Sequence, residues 1–194
     1  MYRRKRIVAV DSIADELMHY MVSEQGCYLA SKEEQDALTE VVLKGGKLNR
    51  KCVGRDAKTL LGMIGVQVPD NIRCITFEGP KEHPLIATEL MMPILGVVRA
   101  KDFDDAVEQA VWLEHGNRHS AHIHSKNVDN ITKYAKAIDT AILVKNGPSY
   151  SALGFGGEGF CTFTIASRTG EGLTSASTFT KRRRCVMTDS LCIR

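Results

Sequence analysis

Residues 83–99 read His-Pro-Leu-Ile-Ala-Thr-Glu-Leu-Met-Met-Pro-Ile-Leu-Gly-Val-Val-Arg, and this stretch decides the fold. Pro93 ends the segment before it, and the apolar run 94–98 predicts a short buried strand. One carboxylate, Glu89, lies in apolar surroundings, where an unpaired charge is costly to bury. Its side chain could cap a helix, pair with Arg99, or contact a ligand at the edge of a cleft. The residues of this stretch are compatible with all three interpretations.

Apolar runs alternate with amphipathic segments on both sides of this strand. Further strands are predicted at residues 7–10, 73–77, 120–124 and 141–144. Helical spacing of apolar side chains predicts helices within 13–22, 32–42, 56–64, 103–111 and 128–138. Ser31 and Glu34 form a predicted capping box, Asp102 and Asn127 are predicted N-caps, and Gly45-Gly46 is expected to end the second helix. This alternation indicates an α/β fold, with a mainly parallel sheet and helices on both faces.

The texture of the sequence changes beyond Asn146. Glycine becomes dense, helical spacing disappears, and β-branched residues collect within residues 162–165. Residues 184–188 predict a last strand, and the basic runs 3–6 and 181–184 are most simply solvated termini or a guard of a sheet edge. We therefore expect a basic leader at 1–6, one domain at 7–180, and a glycine-rich C-terminal segment that ends in a strand within the tail 181–194.

Composition indicates a soluble, cytoplasmic protein. The 194 residues are 43% hydrophobic and 25% charged, and no apolar run approaches the length that spans a bilayer. The net charge of +3 is small, and much of the basic excess lies in residues 3–6 and 181–184, so neither nucleic acid nor a membrane is an expected partner. The six cysteines show no CxxC spacing and no secretory signal precedes them, so we expect reduced thiols.

Two local patterns suggest chemistry that their context does not support. Residues 154–159 match G-x-G-x-x-G, but the following residues favour a strand where a dinucleotide fingerprint requires a helix. His115, His119, His122 and His124 lie within ten residues, yet no carboxylate or cysteine is placed to complete a metal site. A free-standing metal protein is therefore an alternative that we do not expect.

A family resemblance enters at Thr88-Glu89-Leu90-Met91-Met92-Pro93. The sequence resembles the C-terminal, catalytic-domain part of a CoA-acylating aldehyde dehydrogenase, closest to the propanediol- and ethanolamine-utilisation enzymes of bacterial microcompartments. The matching segments follow in order along nearly the whole chain, which makes the resemblance specific. They are residues 11–17, 53–57, 83–84, 89–93, 138–140, 144–148, 156–159, 169–172 and 183–186.

The resemblance implies a reaction and two site residues. In this family a cysteine thiolate attacks the aldehyde, hydride passes to NAD, and coenzyme A takes the acyl group from the thioester. Glu89 falls on the glutamate that holds the nicotinamide ribose, which orients the cofactor for hydride transfer. His119 falls where acylating members carry a histidine, whose role would be to accept the CoA thiol proton or to keep the active-site thiolate charged. Gly156-Gly157 matches a glycine turn near the substrate cleft, where it serves packing.

The same resemblance places the nucleophilic cysteine at or immediately before Met1, and the NAD-binding domain before that. No cysteine of this chain matches the nucleophile. Our leading hypothesis is a catalytic-domain part that acts on a short-chain aldehyde such as propionaldehyde, is homo-oligomeric, and lies in the cytoplasm or inside a microcompartment. Alone it is expected to be inactive and to bind neither NAD nor coenzyme A. The alternative is a non-catalytic oligomerisation or interaction module on the same scaffold. The resemblance implies that residues 184–188 could support its oligomer contact, as the C-terminal strand region does in the family.

Overall fold

The structure is a computed structural model that describes residues 6–157, 161, 162, 164, 165, 173–186 and 188. The helices are α1 Asp11–Ser23, α2 Lys32–Val42, α3 Ala57–Gly62, α4 Pro84–Ala87, α5 Phe103–Glu114 and α6 Val128–Ile138, with short 3-10 helices at Ser149–Leu153 and Ala176–Phe179. The strands are β1 Arg6–Val10, β2 Cys27–Leu29, β3 Leu43–Lys44, β4 Lys47–Leu48, β5 Cys74–Glu78, β6 Ile94–Ala100, β7 Ser120–Ile123, β8 Ile142–Lys145, β9 Thr164–Ile165 and β10 Leu173–Thr174.

The predicted strand of the opening stretch is β6, and it lies inside the central sheet. Four parallel strands follow the order β1-β6-β5-β2, so β6 pairs with a strand on each side. Gly96 is in register with Arg6 of β1 and with Phe77 of β5. The predicted α/β class and mainly parallel sheet are therefore confirmed.

Helices cover both faces of this sheet, as the alternation of strands and helices predicts. On one face α1 packs over β1, β2 and β6, with Ala14, Met21 and Val97 in a small apolar cluster. On the other face α2, α3 and α4 cover the main core, whose largest fully buried side chain is Phe77. Successive strand residues point to opposite faces, which is why Val97 belongs to one cluster and Val98 to the other.

Helix α4 and strand β6, which both belong to the opening stretch, approach each other very closely. A Cβ atom added at Gly96 would lie 2.3 Å from Ile86 Cγ1 and 2.7 Å from its Cδ1. Ile86 is fully buried, and the ring of Phe77 lies on the same side. The missing side chain at Gly96 therefore lets the short helix α4 lie directly on the centre of the sheet.

A second, smaller parallel pair follows the central sheet. Strands β7 and β8 pair in parallel, with Ala121 opposite Leu143, and α5 packs on α6 beside them. Val107, Ala121, Ile123, Tyr134 and Ile138 form their core. The predicted N-caps are confirmed here, since Asp102 accepts from the backbone of Asp105 and Asn127 from Asp129 and Asn130.

The capping box is also confirmed, but the end of its helix differs from our expectation. Ser31 accepts from the backbone of Glu34, whose carboxylate accepts from the backbone of Ser31 in return. Helix α2 ends at Val42, and Gly45-Gly46 instead forms the turn of the hairpin β3–β4. Both glycines have positive φ, which a tight hairpin turn requires and which glycine adopts without strain.

The predicted last strand at 184–188 is not present in the described part of the tail. Residues 184–186 and 188 lie outside any strand, and all four are exposed. No described strand runs beside residues 184–186 to pair with their backbone N–H and C=O groups. No helix among the described residues is long and apolar enough to cross a bilayer.

Gly96→Ala tests the contact between α4 and the sheet. We expect this substitution to lower the free energy of unfolding by roughly 1–3 kcal/mol, because the new methyl group must displace a fully buried isoleucine. Gly62→Ala is the matched control, since nothing lies within 4 Å of a Cβ atom at that position. Urea denaturation followed by circular dichroism measures both, and equal stability of the two variants would contradict the packing argument.

Candidate active-site edge

Glu89 lies on the connection between α4 and β6, at the edge of the sheet where β1 and β6 begin. The neighbouring side chains Leu90 and Met92 are buried at 4% exposure each and anchor this connection to the core. Glu89 itself is exposed, and Met91, with φ 55°, turns the chain so that its own side chain is also exposed. The connection therefore presents the carboxylate to solvent while its apolar neighbours hold the backbone in place.

Two of the three interpretations of Glu89 do not agree with the structure. The residue precedes a strand, and the N-cap of α4 is His83, whose Nδ1 accepts from the backbone of Leu85 at 3.2 Å. Arg99 does not pair with Glu89. Its guanidinium instead donates to Asp11 at 2.8 Å, Asp15 at 2.5 Å and Glu78 at 2.8 Å, at the opposite end of β6. The ligand-contact interpretation stays a prediction.

Arg99 is held strongly at that opposite edge. Hydrogen bonds to three carboxylates raise the pKa of its guanidinium, and the bond with Arg99 lowers the pKa of Asp15. A concavity of about 590 Å³ lies beside this arginine and is lined by Glu78–Glu82, Val98, Arg99, Asp105 and Gln109. It contains neither Glu89 nor His119, so it is separate from the edge that carries those two residues.

Arg6 is the cation at the amino edge of the sheet. It is the first residue of β1, and its Nη1 donates to the backbone carbonyl of Leu113 at 2.5 Å. Burial lowers the pKa of the guanidinium, whereas electrostatic interaction with Glu89 and Glu114 acts in the opposite direction. Arg6 therefore ties the start of β1 to the end of α5 and lies in the field of the candidate ribose-binding carboxylate.

His119 contacts Glu114, which is one of the two carboxylates that interact with Arg6. Its backbone N–H donates to Glu114 Oε1 at 3.3 Å, and a 2.9 Å hydrogen bond joins its ring Nδ1 to Ser120 Oγ. The side chain is exposed, at the start of β7. Glu114 thus interacts both with Arg6 and with the backbone of His119, so the structure connects the two predicted site residues through two charged side chains.

The neighbouring histidines have structural contacts of their own. His115 Nε2–H donates to the carbonyl of Ala87 at 3.0 Å, which ties the end of α5 to the segment that leads into Glu89. A 2.9 Å hydrogen bond joins His122 Nε2 to Ser149 Oγ. Burial lowers the pKa of His83, which favours the neutral ring that its capping bond requires.

The structure describes the histidine cluster in full and the glycine-rich motif in part. No group of three or more potential metal ligands occurs among the described residues. The glycine-rich turn at 154–157 follows a 3-10 helix, not a strand, and residues 158–160 lie outside the described part of the chain. A Cβ atom at Gly157 would lie 2.8 Å from Ser151 Cβ, in agreement with a packing role for this turn.

Comparison with known proteins supports the resemblance. No model of a protein family matches the sequence. The acetylating acetaldehyde dehydrogenase of Salmonella typhimurium is 46% identical over 192 residues, which are 96% of this chain and 41% of that enzyme. A propionaldehyde dehydrogenase from the Clostridium phytofermentans fucose utilisation bacterial microcompartment is 79% identical, with a TM-score of 0.91 over 98% of this chain and 44% of that one. The chain is homologous to part of a CoA-acylating aldehyde dehydrogenase.

A third relative shows which ligands such a dehydrogenase holds. The Rhodopseudomonas palustris propionaldehyde dehydrogenase, solved with bound CoA and an acylated cysteine, is 49% identical with a TM-score of 0.89, over 95% of this chain and 42% of that one. The chain spans about two fifths of the length of the curated acylating dehydrogenases that it matches. The predicted family and fold are thereby confirmed, whereas the roles of Glu89 and His119 stay predictions.

The sequence alone does not predict that three residues, Arg6, Glu114 and His115, belong to this edge. Arg6 falls within the expected leader, although the apolar run beside it could have signalled that the strand begins one residue earlier. Glu114 and His115 form the polar end of a helix. No local signal identifies them, because their partners Arg6, His119 and Ala87 are brought close only by the packing of α5 against β1 and by the turn that follows α5.

Arg6→Met tests whether the half-buried guanidinium holds this edge together. We expect the free energy of unfolding to fall by roughly 1–3 kcal/mol, because the carbonyl of Leu113 and two carboxylates lose their cation. Arg55→Met is the matched control, since that exposed guanidinium also donates to a backbone carbonyl, of Lys51 at 3.3 Å. It should change stability by less than about 0.5 kcal/mol. If both variants unfold at the same urea concentration, Arg6 is not a structural cation.

Proposed function

We propose that this chain is the catalytic-domain part of an NAD-dependent, CoA-acylating aldehyde dehydrogenase that converts a short-chain aldehyde, coenzyme A and NAD to acyl-CoA and NADH. The observation that supports this most is the 79% identity to a microcompartment propionaldehyde dehydrogenase over 98% of the chain. Residues 7–180 form the catalytic-like domain in this proposal. The reaction takes place in the cytoplasm or in a microcompartment.

Glu89 holds the nicotinamide ribose in this proposal. An exposed carboxylate on a backbone anchored by Leu90 and Met92 can accept hydrogen bonds from two ribose hydroxyls. The rigid connection makes such a contact useful, because hydride transfer depends on the position of the cofactor ring relative to the substrate. The guanidinium of Arg6 interacts electrostatically with Glu89, whose ionised carboxylate is the form that accepts both bonds.

His119 acts on the acyl-transfer step. Coenzyme A must lose its thiol proton before the sulfur attacks the thioester, and imidazole is the side chain whose ordinary pKa suits that transfer near neutral pH. The 2.9 Å hydrogen bond with Ser120 and the backbone bond to Glu114 orient the ring at the amino edge. The nucleophilic cysteine that precedes β1 in the family would come to the same edge, because β1 and β6 are parallel neighbours.

The 194-residue chain is not expected to catalyse this reaction alone, because neither the family's nucleophile nor its dinucleotide-binding part matches any segment of it. We expect no formation of NADH when the purified chain is mixed with propionaldehyde, NAD and coenzyme A, and no detectable NAD binding by calorimetry. A linear increase in NADH absorbance that scales with protein concentration would contradict this prediction. Light scattering on the same sample tests the expected homo-oligomer.

A chimera separates the roles of the two residues. The matching 44% of the Clostridium phytofermentans enzyme is replaced by this chain, and acyl-CoA and NADH are measured. We expect an active chimera in which Glu89→Gln raises the KM for NAD roughly tenfold, because one charge-assisted hydrogen bond is lost. His119→Ala should slow acyl transfer to coenzyme A roughly a hundredfold and leave the first burst of NADH intact.

His124→Ala is the matched control for His119, since this exposed histidine lies five positions further along the chain. It should leave both steps unchanged. The assignment of His119 is wrong if the burst of NADH disappears together with acyl transfer, or if His124→Ala slows acyl transfer to the same extent. An inactive chimera that folds and assembles like the parent enzyme would contradict the proposed function itself.

A further inference from the structure

Cys27 and Cys74 are direct neighbours on the parallel strands β2 and β5. Their Cα atoms are partners in the strand register, and both side chains lie on the face of the sheet that α1 covers. In-register residues on adjacent strands are about 4.8 Å apart. Disulfide-linked residues have Cα atoms roughly 4.4–6.8 Å apart. The backbone spacing is therefore already that of a disulfide.

The two thiols differ in exposure and share a hydrogen bond. Cys27 is 7% exposed, whereas Cys74 is partly exposed. The bond with Cys74 lowers the pKa of the Cys27 thiol to about 7, which favours its thiolate form. The residues just before the cysteines, Gly26 and Arg73, line a polar concavity of about 220 Å³. Solvent therefore reaches the ends of both strands next to the thiols.

Strand β2, which carries Cys27, can shift to allow a disulfide with Cys74. Strand β2 has three residues and lies at an end of the described central sheet, with β5 as its neighbour there. A disulfide needs Cβ atoms about 3.8 Å apart, closer than the spacing of the strands, so the strands must approach slightly. A short strand paired on one side can move more easily than β5 or β6, which are paired on both sides.

We propose that Cys27 and Cys74 form an oxidative modification site, which a peroxide converts to a reversible disulfide across β2 and β5. The hydrogen-bonded proton passes from Cys74 to Cys27, and the more exposed Cys74 sulfur attacks the peroxide as a thiolate. The O–O bond breaks, Cys74 becomes a sulfenic acid, and the hydroxide that leaves takes that proton back from Cys27 to form water. The Cys27 thiolate then attacks the Cys74 sulfur. The S–S bond forms, the S–O bond breaks, and the released hydroxide takes the proton that Cys27 gave up when it first ionised. Two thiols are oxidised and the peroxide is reduced to two molecules of water.

Cys52 shows why this chemistry belongs to the pair and not to every thiol of the chain. It is fully buried, its thiol lies 3.8 Å from the sulfur of Met63, and burial raises its pKa. A buried neutral thiol beside a thioether is a poor nucleophile. The substrate chemistry of the proposed enzyme plays no part in the inference, since neither Cys27 nor Cys74 lies on the connection that carries Glu89 or next to His119.

Peptide mapping after oxidation tests the proposal. The exposed Cys161 and Cys185, together with Cys192, are replaced by serine to avoid unrelated bridges. The chain is treated with hydrogen peroxide, unfolded, and alkylated with N-ethylmaleimide. We expect a peptide cross-linked between Cys27 and Cys74, with Cys52 alkylated, and full alkylation of all three thiols after dithiothreitol. Cys74→Ala should abolish the cross-link, and Cys52→Ala, the matched control, should preserve it.

Phenylarsine oxide supplies a second measurement that needs no substitution at the pair. This reagent binds two adjacent thiols together, so it should protect Cys27 and Cys74 from alkylation at one equivalent per chain and leave Cys52 reactive after unfolding. The proposal is overturned if peroxide converts Cys74 to higher acids without a cross-link, if Cys52 cross-links as readily as Cys27, or if phenylarsine oxide protects neither thiol of the folded chain.

Discussion

The contact between Ile86 and Gly96 is the packing constraint that fixes helix α4, and the connection that follows it, on the central sheet. A side chain at position 96 would occupy the space of Ile86, so α4 rests on the bare backbone of the strand between β1 and β5. Helix α4 leads directly into the connection that carries Glu89. The distance between α4 and the sheet therefore sets the position of Glu89, which follows the end of α4 by two residues. A packing requirement in the core thus determines where the candidate carboxylate is presented.

The two ends of the central sheet differ in their charge arrangement. At the end where the strands finish, Arg99 is surrounded by Asp11, Asp15 and Glu78, and its hydrogen-bonding capacity is used within the protein. At the end where β1 and β6 begin, Arg6 is half-buried and interacts with Glu89 and Glu114 while its own bond goes to a backbone carbonyl. Glu89 there is exposed. Because of this difference, our proposal places the cofactor hydroxyl at the amino edge, where a carboxylate is exposed, and not in the concavity beside Arg99.

Four nearby histidines show how tertiary contacts divide similar residues among different roles. The sequence places His115, His119, His122 and His124 within ten residues, and their spacing does not select one of them as a site residue. His115 reaches back to Ala87 and His122 reaches forward to Ser149, so both serve contacts between elements. His119 has its backbone tied to Glu114 and its ring to Ser120. Resemblance alone selected His119, and the structure adds its connection to Arg6 through Glu114.

The longer strands and helices, three helix N-caps and the family could be predicted from the amino-acid sequence, because these depend on local spacing, on side chains within three residues of a helix start, and on ordered segments shared with relatives. Strand β2, the hairpin β3–β4 and helix α4 are not predicted, because elements of two to four residues are too short to show a spacing pattern. Only the folded chain shows that Gly45-Gly46 turns a hairpin, that Arg6 belongs to the first strand, and that Arg99 binds residues 21, 84 and 88 positions away. It also places Cys27 opposite Cys74. These outcomes follow from strand register and helix packing, which join residues distant in the chain and leave no local pattern in it.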